Sequence, residues 1–185
     1  MKKDTKERIK INPKIEAAYH EAGHAAVSLF YNHKLKFVRI KRKTGECQRD
    51  PAQDSNYFFY RHDHRPIIST FNLELIQVAF AGVIAVNLKG VQLKPNEDGS
   101  KADFSDARND IMAICLDRKI FGEEFFKLYE WLDLRTTEAL KIVWPAVEAI
   151  AKELLEKNEM SGQRALELYR NAKINKFKNR IHERN

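Results

Sequence analysis

The segment from Asn12 to Tyr31 constrains the fold more than any other part of the chain. Asn12-Pro13 reads as a helix start, an N-cap followed by proline at the first helical position, where a missing N–H is harmless. Beyond it, Ile15, Ala18, Tyr19, Ala22, Ala25, Ala26, Leu29 and Phe30 recur at helical spacing and make a broad apolar stripe. The pattern predicts a helix from about Pro13 to Tyr31 that has to pack against a core. At its middle stands His20-Glu21-Ala22-Gly23-His24.

Residues four apart lie one above the other on a helix, roughly 6 Å apart at Cβ. Two imidazoles at that spacing can converge on one ion at metal–nitrogen distances of about 2.0–2.1 Å. Glu21, directly after the first histidine, is placed to take a proton from an attacking water. The plain alternative is a pair of histidines that bind no metal. Gly23 costs about 1 kcal/mol relative to alanine inside a helix, and close approach of another backbone or of the metal site is one reason to place it there.

A catalytic zinc takes three protein ligands and keeps one position open. The third candidates are Asp103, Asp106 and Asp110 on the helix expected after a loop, and His62 and His64 in Arg61-His62-Asp63-His64-Arg65. Spacing alone does not choose among them. The His-Asp-His run can present alternate residues on one face of an extended chain, although a solvated loop before Pro66 is the simpler reading.

At 43% hydrophobic and 32% charged residues, the 185-residue chain has the composition of a soluble globular domain with a real core. Cys47 and Cys115 make no disulfide framework, and the charged start lacks the apolar segment of a signal peptide, so the expectation is a reducing compartment, the cytoplasm. The longest apolar stretch, Phe71 to Leu88, is interrupted by Asn72, Glu74, Gln77 and Asn87 and reads as a buried helix, not a membrane segment. The net charge of +7 resides in the ends, residues 1–10 and 170–185, leaving the body near neutral. Solvated termini are the expectation, and no aromatic interleaving suggests a stacking platform for nucleic acid. The division expected is a basic arm at 1–12, one domain at 13–168 and a basic helix or tail at 169–185.

Along the chain, Lys34 to Lys43 reads as a strand, with Val38 and Ile40 alternating with Arg39 and Lys41. Thr44-Gly45-Glu46 reads as a turn, followed by a polar stretch to Ser55 and a second strand at Tyr57–Tyr60. Pro66 opens a long helix ending near Lys89, with Gly90 as its stop. A loop over 90–102 leads to a helix from about Asp103 to Lys119. The remainder is helical from about Glu123 to Lys157, with an interruption near Trp131–Leu134 and a break or kink at Pro145. Ser161 caps a last helix. The fold class is mainly α, an α+β chain with a small β-element.

With these residues in view, Ala18-Tyr19-His20-Glu21-Ala22-Gly23-His24-Ala25 resembles the zinc-site helix of the FtsH-type ATP-dependent metalloproteases. Ala81-Gly82 resembles that family's alanine-glycine step. Gly99, Ser100, Asp103 and Ala107 resemble the pattern in which an aspartate opens a helix, and Ala151–Lys157 with Met160-Ser161-Gly162 resembles the end of the peptidase domain. The resemblance covers roughly 13–168. It implies the helical zincin-like fold of that peptidase domain, zinc held by His20, His24 and Asp103, and Glu21 as the catalytic base. The chain departs from the family in having no G-x-x-x-x-G-K-[ST] phosphate loop, and in Val83, Val86 and Asn87 standing where the family's helix has its arginine and glutamate.

The function expected is therefore zinc-dependent hydrolysis of peptide bonds in small or unfolded substrates, without an ATPase module. The strand around Lys36–Lys41, taken as an edge, is the expected place for substrate, at Val38, Arg39 and Ile40. Lys34 to Arg49 holds seven basic residues and one acidic residue, Glu46, which predicts a preference for acidic or neutral peptides. Expected partners are a peptide or unfolded protein, a separate unfoldase, and further copies of the chain in a homo-oligomer. The rival is a catalytically silent zinc module that docks a protein or nucleic-acid partner.

Overall fold

Helix α1 spans Pro13–Phe30, and its start is the one the sequence predicts: the Asn12 side-chain oxygen accepts from the Lys14 N–H at 3.0 Å, with Pro13 at the first position. The computed structural model describes residues 12–41, 44–50, 70–90 and 100–182, and the side chains of 70–72, 100–104, 106, 117–118 and 173–182 lie outside that description. From Ala17 to Leu29 every residue of α1 except His20 is buried. A one-sided stripe does not require that; a helix enclosed on all sides does. Alanines at 17, 18, 22, 25 and 26 make such enclosure possible, because small side chains let several neighbours approach at once.

Those neighbours are two helices and a sheet. Helix α2 (Thr70–Leu88) crosses α1 at Gly23, where a Cβ would stand 2.5 Å from the Ala81 carbonyl oxygen and 2.7 Å from the Ala85 methyl. The close approach expected of Gly23 is thus to another backbone. Helix α3 (Ser100–Arg118) packs on α2, and α4 (Glu123–Lys157) lies against both α1 and α2. Leu132, Leu140, Val143, Val147, Ile150 and Leu154 form its buried stripe. Helix α5 (Gly162–His182) follows, with the Ser161 hydroxyl accepting from the Arg164 N–H at 3.2 Å, the cap that the sequence predicts.

Among the described residues three strands form an antiparallel sheet in the order β2-β1-β3, with β1 at Leu35–Lys41, β2 at Thr44–Arg49 and β3 at Glu159–Ser161. Two expectations change here. The supposed turn at Thr44-Gly45-Glu46 and the polar residues after it are strand β2. The strand over Lys36–Lys41 is not an edge: it is central, paired on both sides. The strand read at Tyr57–Tyr60 and the helix start at Pro66 lie outside the described residues.

Helix α4 also differs from expectation, running 35 residues without interruption. At the supposed break, Thr136 sends its hydroxyl to the Leu132 carbonyl at 2.8 Å and is fully buried. Pro145 sits on the exposed face, with Lys141, whose carbonyl it deprives of a donor, on the same face. The helix ends at Asn158 in the left-handed conformation (φ 64°), whose carbonyl accepts from the Ile40 N–H at 2.7 Å and joins the helix end to β1. Arg164 of α5 clasps Glu153 of α4 through its Nε (3.0 and 3.1 Å) and Nη2 (2.9 Å). The architecture is α+β, mainly helical. Among the described residues no helix is long and apolar enough to cross a membrane.

Candidate metal centre

His20 and His24 point the same way from α1, their rings 4.6 Å apart between centroids and nearly perpendicular. Their Nε2 atoms stand 2.9 Å from each other. The Nδ1 of His24 lies 2.7 Å from the carbonyl oxygen of Val78 on α2. A carbonyl can only accept, so Nδ1 carries the proton and Nε2 carries a lone pair. That lone pair faces the second Nε2, a juxtaposition that calls for a proton or a cation.

The two nitrogens stand slightly closer than a shared small cation would hold them. Two bonds of about 2.05 Å meeting near the tetrahedral angle hold their nitrogens about 3.3 Å apart. Opening the present separation to that value takes a few tenths of an ångström. Gly82, one turn beyond Val78 on α2, borders the pair: a Cβ there would stand 2.5 Å from His24 Nε2 and 2.8 Å from His20 Nε2. At that point the absence of a side chain on α2 lets the two rings pack directly against the helix backbone. A hydrogen bond from the non-ligating nitrogen to a backbone carbonyl is the usual orienting device for a ligand histidine.

Glu21 is 5% exposed and His24 8%, while His20 is half-buried. The Glu21 side chain turns toward β2, where Gly45 faces it. Cys47, two residues along β2, feels the same carboxylate: burial first, and the Glu21 charge second, push its thiol far above the ordinary range. Both effects favour the protonated thiol.

Asp103 falls in the first turn of α3, and its side chain lies outside the described residues, as does that of Asp106. Asp110 is described and exposed; His62 and His64 are outside. Among the described residues no set of three His, Cys, Asp or Glu side chains converges.

Val38, Arg39 and Ile40 lose the backbone-pairing role expected of them. Val38 is opposite Cys47 and Met160, Arg39 opposite Glu46 and Glu159, and Ile40 is paired with Gly45 and bonded to Asn158. Val38 and Ile40 are buried, and the Arg39 guanidinium is held by Glu46 (2.5 and 3.1 Å) above the Phe37 ring. Among the described residues β2 is an edge of the sheet, and it lies against Glu21.

A second polar cluster, which the sequence did not reveal, ties the far end of α1 to α2. The Tyr31 hydroxyl donates to Gln77 at 2.6 Å, and His33 meets Glu74 at 3.0 Å, with Arg49 of β2 on its other ring nitrogen at 3.5 Å. Because arginine only donates, His33 donates to Glu74. Burial, then the Glu74 charge, raise the Tyr31 hydroxyl above its ordinary value. Together with His24 on Val78, these contacts place α2 against α1 by three polar links along its length.

Comparison of the chain with protein-family models gives no match, and comparison with curated proteins gives none.

Proposed function

We propose that this chain is a zinc-dependent endopeptidase that acts on short or unfolded polypeptides. The observation that carries the proposal is the pair of Nε2 atoms 2.9 Å apart, that of His24 left without a proton because the same ring donates from Nδ1 to Val78. The Val78 carbonyl fixes the His24 tautomer, and Gly82 keeps side chains of α2 away from the two converging nitrogens. The similarity of the α1 segment to the FtsH-type zinc helix supports the same reading. So does the buried carboxylate of Glu21, which has no role in a structural zinc site.

In this proposal His20, His24 and Asp103 hold the zinc, which when bound supplies Lewis acidity toward a peptide carbonyl and lowers the pKa of water. Glu21 takes the proton of the attacking water and returns it to the leaving amine. The Val78 carbonyl keeps His24 in the ligating tautomer. The outer edge of β2 pairs with an extended substrate, which brings its backbone past Glu21. The 185 residues hold no phosphate loop, and the hydrolytic step proposed for them acts on polypeptide that is already unfolded.

Metal analysis combined with hydrolysis of an unfolded protein tests the proposal. Purified without chelators, the protein is expected to carry zinc, and Glu21→Gln is expected to keep the zinc and lose turnover. Zinc-free protein overturns the proposal. Zinc without turnover on any unfolded substrate converts it to the silent binding module.

A further inference from the structure

We propose that Gly45 is a positioning residue for Glu21: its missing side chain is the seat that holds the carboxylate between α1 and β2. The role presupposes a peptidase site. Gly45 lies inside a strand, paired with Ile40. Glycine weakens a strand, and in that setting often marks the close approach of another group. The group here is a single side chain. The three atoms nearest to a Cβ built at position 45 are Cγ, Cδ and Oε1 of Glu21, the last two at 2.6 Å.

The other close glycines of the site face different obstacles. At Gly23 the obstacle is the Ala81 backbone, and at Gly82 it is the two imidazoles. At Gly45 the three nearest atoms all belong to Glu21, beginning with its Cγ. A methyl at 45 therefore has to displace Glu21 from Cγ outward, a rotation about χ1 that takes the carboxylate out of its place. The expected loss falls on the chemical step and leaves metal binding intact. Since β2 is also the edge offered to substrate, glycine at this point leaves no side chain between a paired peptide backbone and the base.

The test uses the zinc-loaded full chain carrying Gly45→Ala, alone and combined with Glu21→Gln or Glu21→Ala, with fluorescein-labelled casein as the unfolded substrate. Gly45→Ala is expected to retain zinc, to lower kcat about 10- to 100-fold, as sub-ångström to 1 Å misplacement of a reacting group does, and to leave KM within about two-fold. In the Glu21→Gln background the same substitution is expected to add no further loss. The fall in melting temperature that Gly45→Ala causes is expected to vanish with Glu21→Ala, where the opposing atoms are gone; this arm also covers the case in which Gly45→Ala alone fails to fold. Equal rate losses in the two backgrounds, loss of zinc, or an unchanged thermal penalty in the Glu21→Ala background overturns the assignment. If the unsubstituted chain holds zinc and cleaves no casein, the peptidase reading fails on its own, and the melting-temperature arm alone decides whether Glu21 sits on Gly45.

Discussion

The Nδ1 of His24 donates to the carbonyl oxygen of Val78 across 2.7 Å, and that single bond spans the crossing of α1 and α2. It commits the ring to one tautomer and one orientation before any ligand arrives. It also makes α2 part of the site, although α2 contributes no ligand among its described side chains. A backbone acceptor suits this role, because it is fixed by the helix and cannot be lost by substitution of its own side chain.

Gly82 supplies the other half of that contribution. Gly82→Ala places a methyl carbon 2.5 Å from His24 Nε2, inside the space a cation needs. Zinc affinity is expected to fall by about 100-fold or more, at the upper end of what outer-shell changes cause. Competition titration against a chromophoric chelator measures it. Unchanged affinity would mean that the ion lies on the other side of the rings.

Removing the metal should loosen the fold. A ligand at about 100 times its Kd adds about 2.7 kcal/mol to stability, and in a domain of this size each kcal/mol is about 2–4 °C. EDTA is thus expected to lower the melting temperature by about 5–10 °C, and excess zinc to restore it. The His20→Ala variant should melt at the chelated temperature with or without EDTA.

The clasp between α4 and α5 predicts acid sensitivity. Arg164, and after it Lys157, hold the Glu153 carboxyl below the usual carboxylate range against the opposing effect of burial. A depressed value in the folded state gives stability that is complete above the unfolded pKa of about 4.3 and is lost as pH falls through the folded value. The melting temperature of the natural chain is therefore expected to fall faster below about pH 4.3 than that of Glu153→Gln, the two curves drawing together in acid. Parallel curves would detach Glu153 from this role.

Substrate preference follows from the strands. Lys34 to Arg49 remains strongly basic, with Glu46 already engaged by Arg39 at 2.5 Å. Peptide libraries are expected to favour acidic or neutral flanks by about two- to five-fold, the scale of exposed charge pairs, and less at high salt. Enrichment of lysine and arginine in the cleaved set argues against the β2 edge as the docking strand.

The helical skeleton is legible in the sequence wherever a cap and a periodic stripe coincide. Asn12-Pro13 and the stripe from Ile15 to Phe30 give α1 almost to the residue, and Ser161 gives the start of α5. The convergence of His20 and His24 follows from their spacing. Strand β2 is not legible because Thr44-Gly45-Glu46 has the residues of a turn; Gly45 falls in a strand through its pairing with Ile40, a tertiary relationship that local residue preference does not carry. Three residues of β3 are too few to show a period. The continuity of α4 past Pro145 depends on which face is wet, and that is decided by tertiary packing. Val78 acts through its carbonyl, which every residue possesses, so no sequence pattern can single it out.

Helix α1 is enclosed from Ala17 to Leu29, with only His20 partly open. Amides enclosed in this way are expected to be among the slowest of the domain to exchange with solvent, and the two rings and the carboxylate share that enclosed helix. Scaffold and reactive groups are thereby one object. Any lineage that retunes this chemistry has to do so from the surrounding strands and loops, because a change to the central rod is a change to whether the molecule exists.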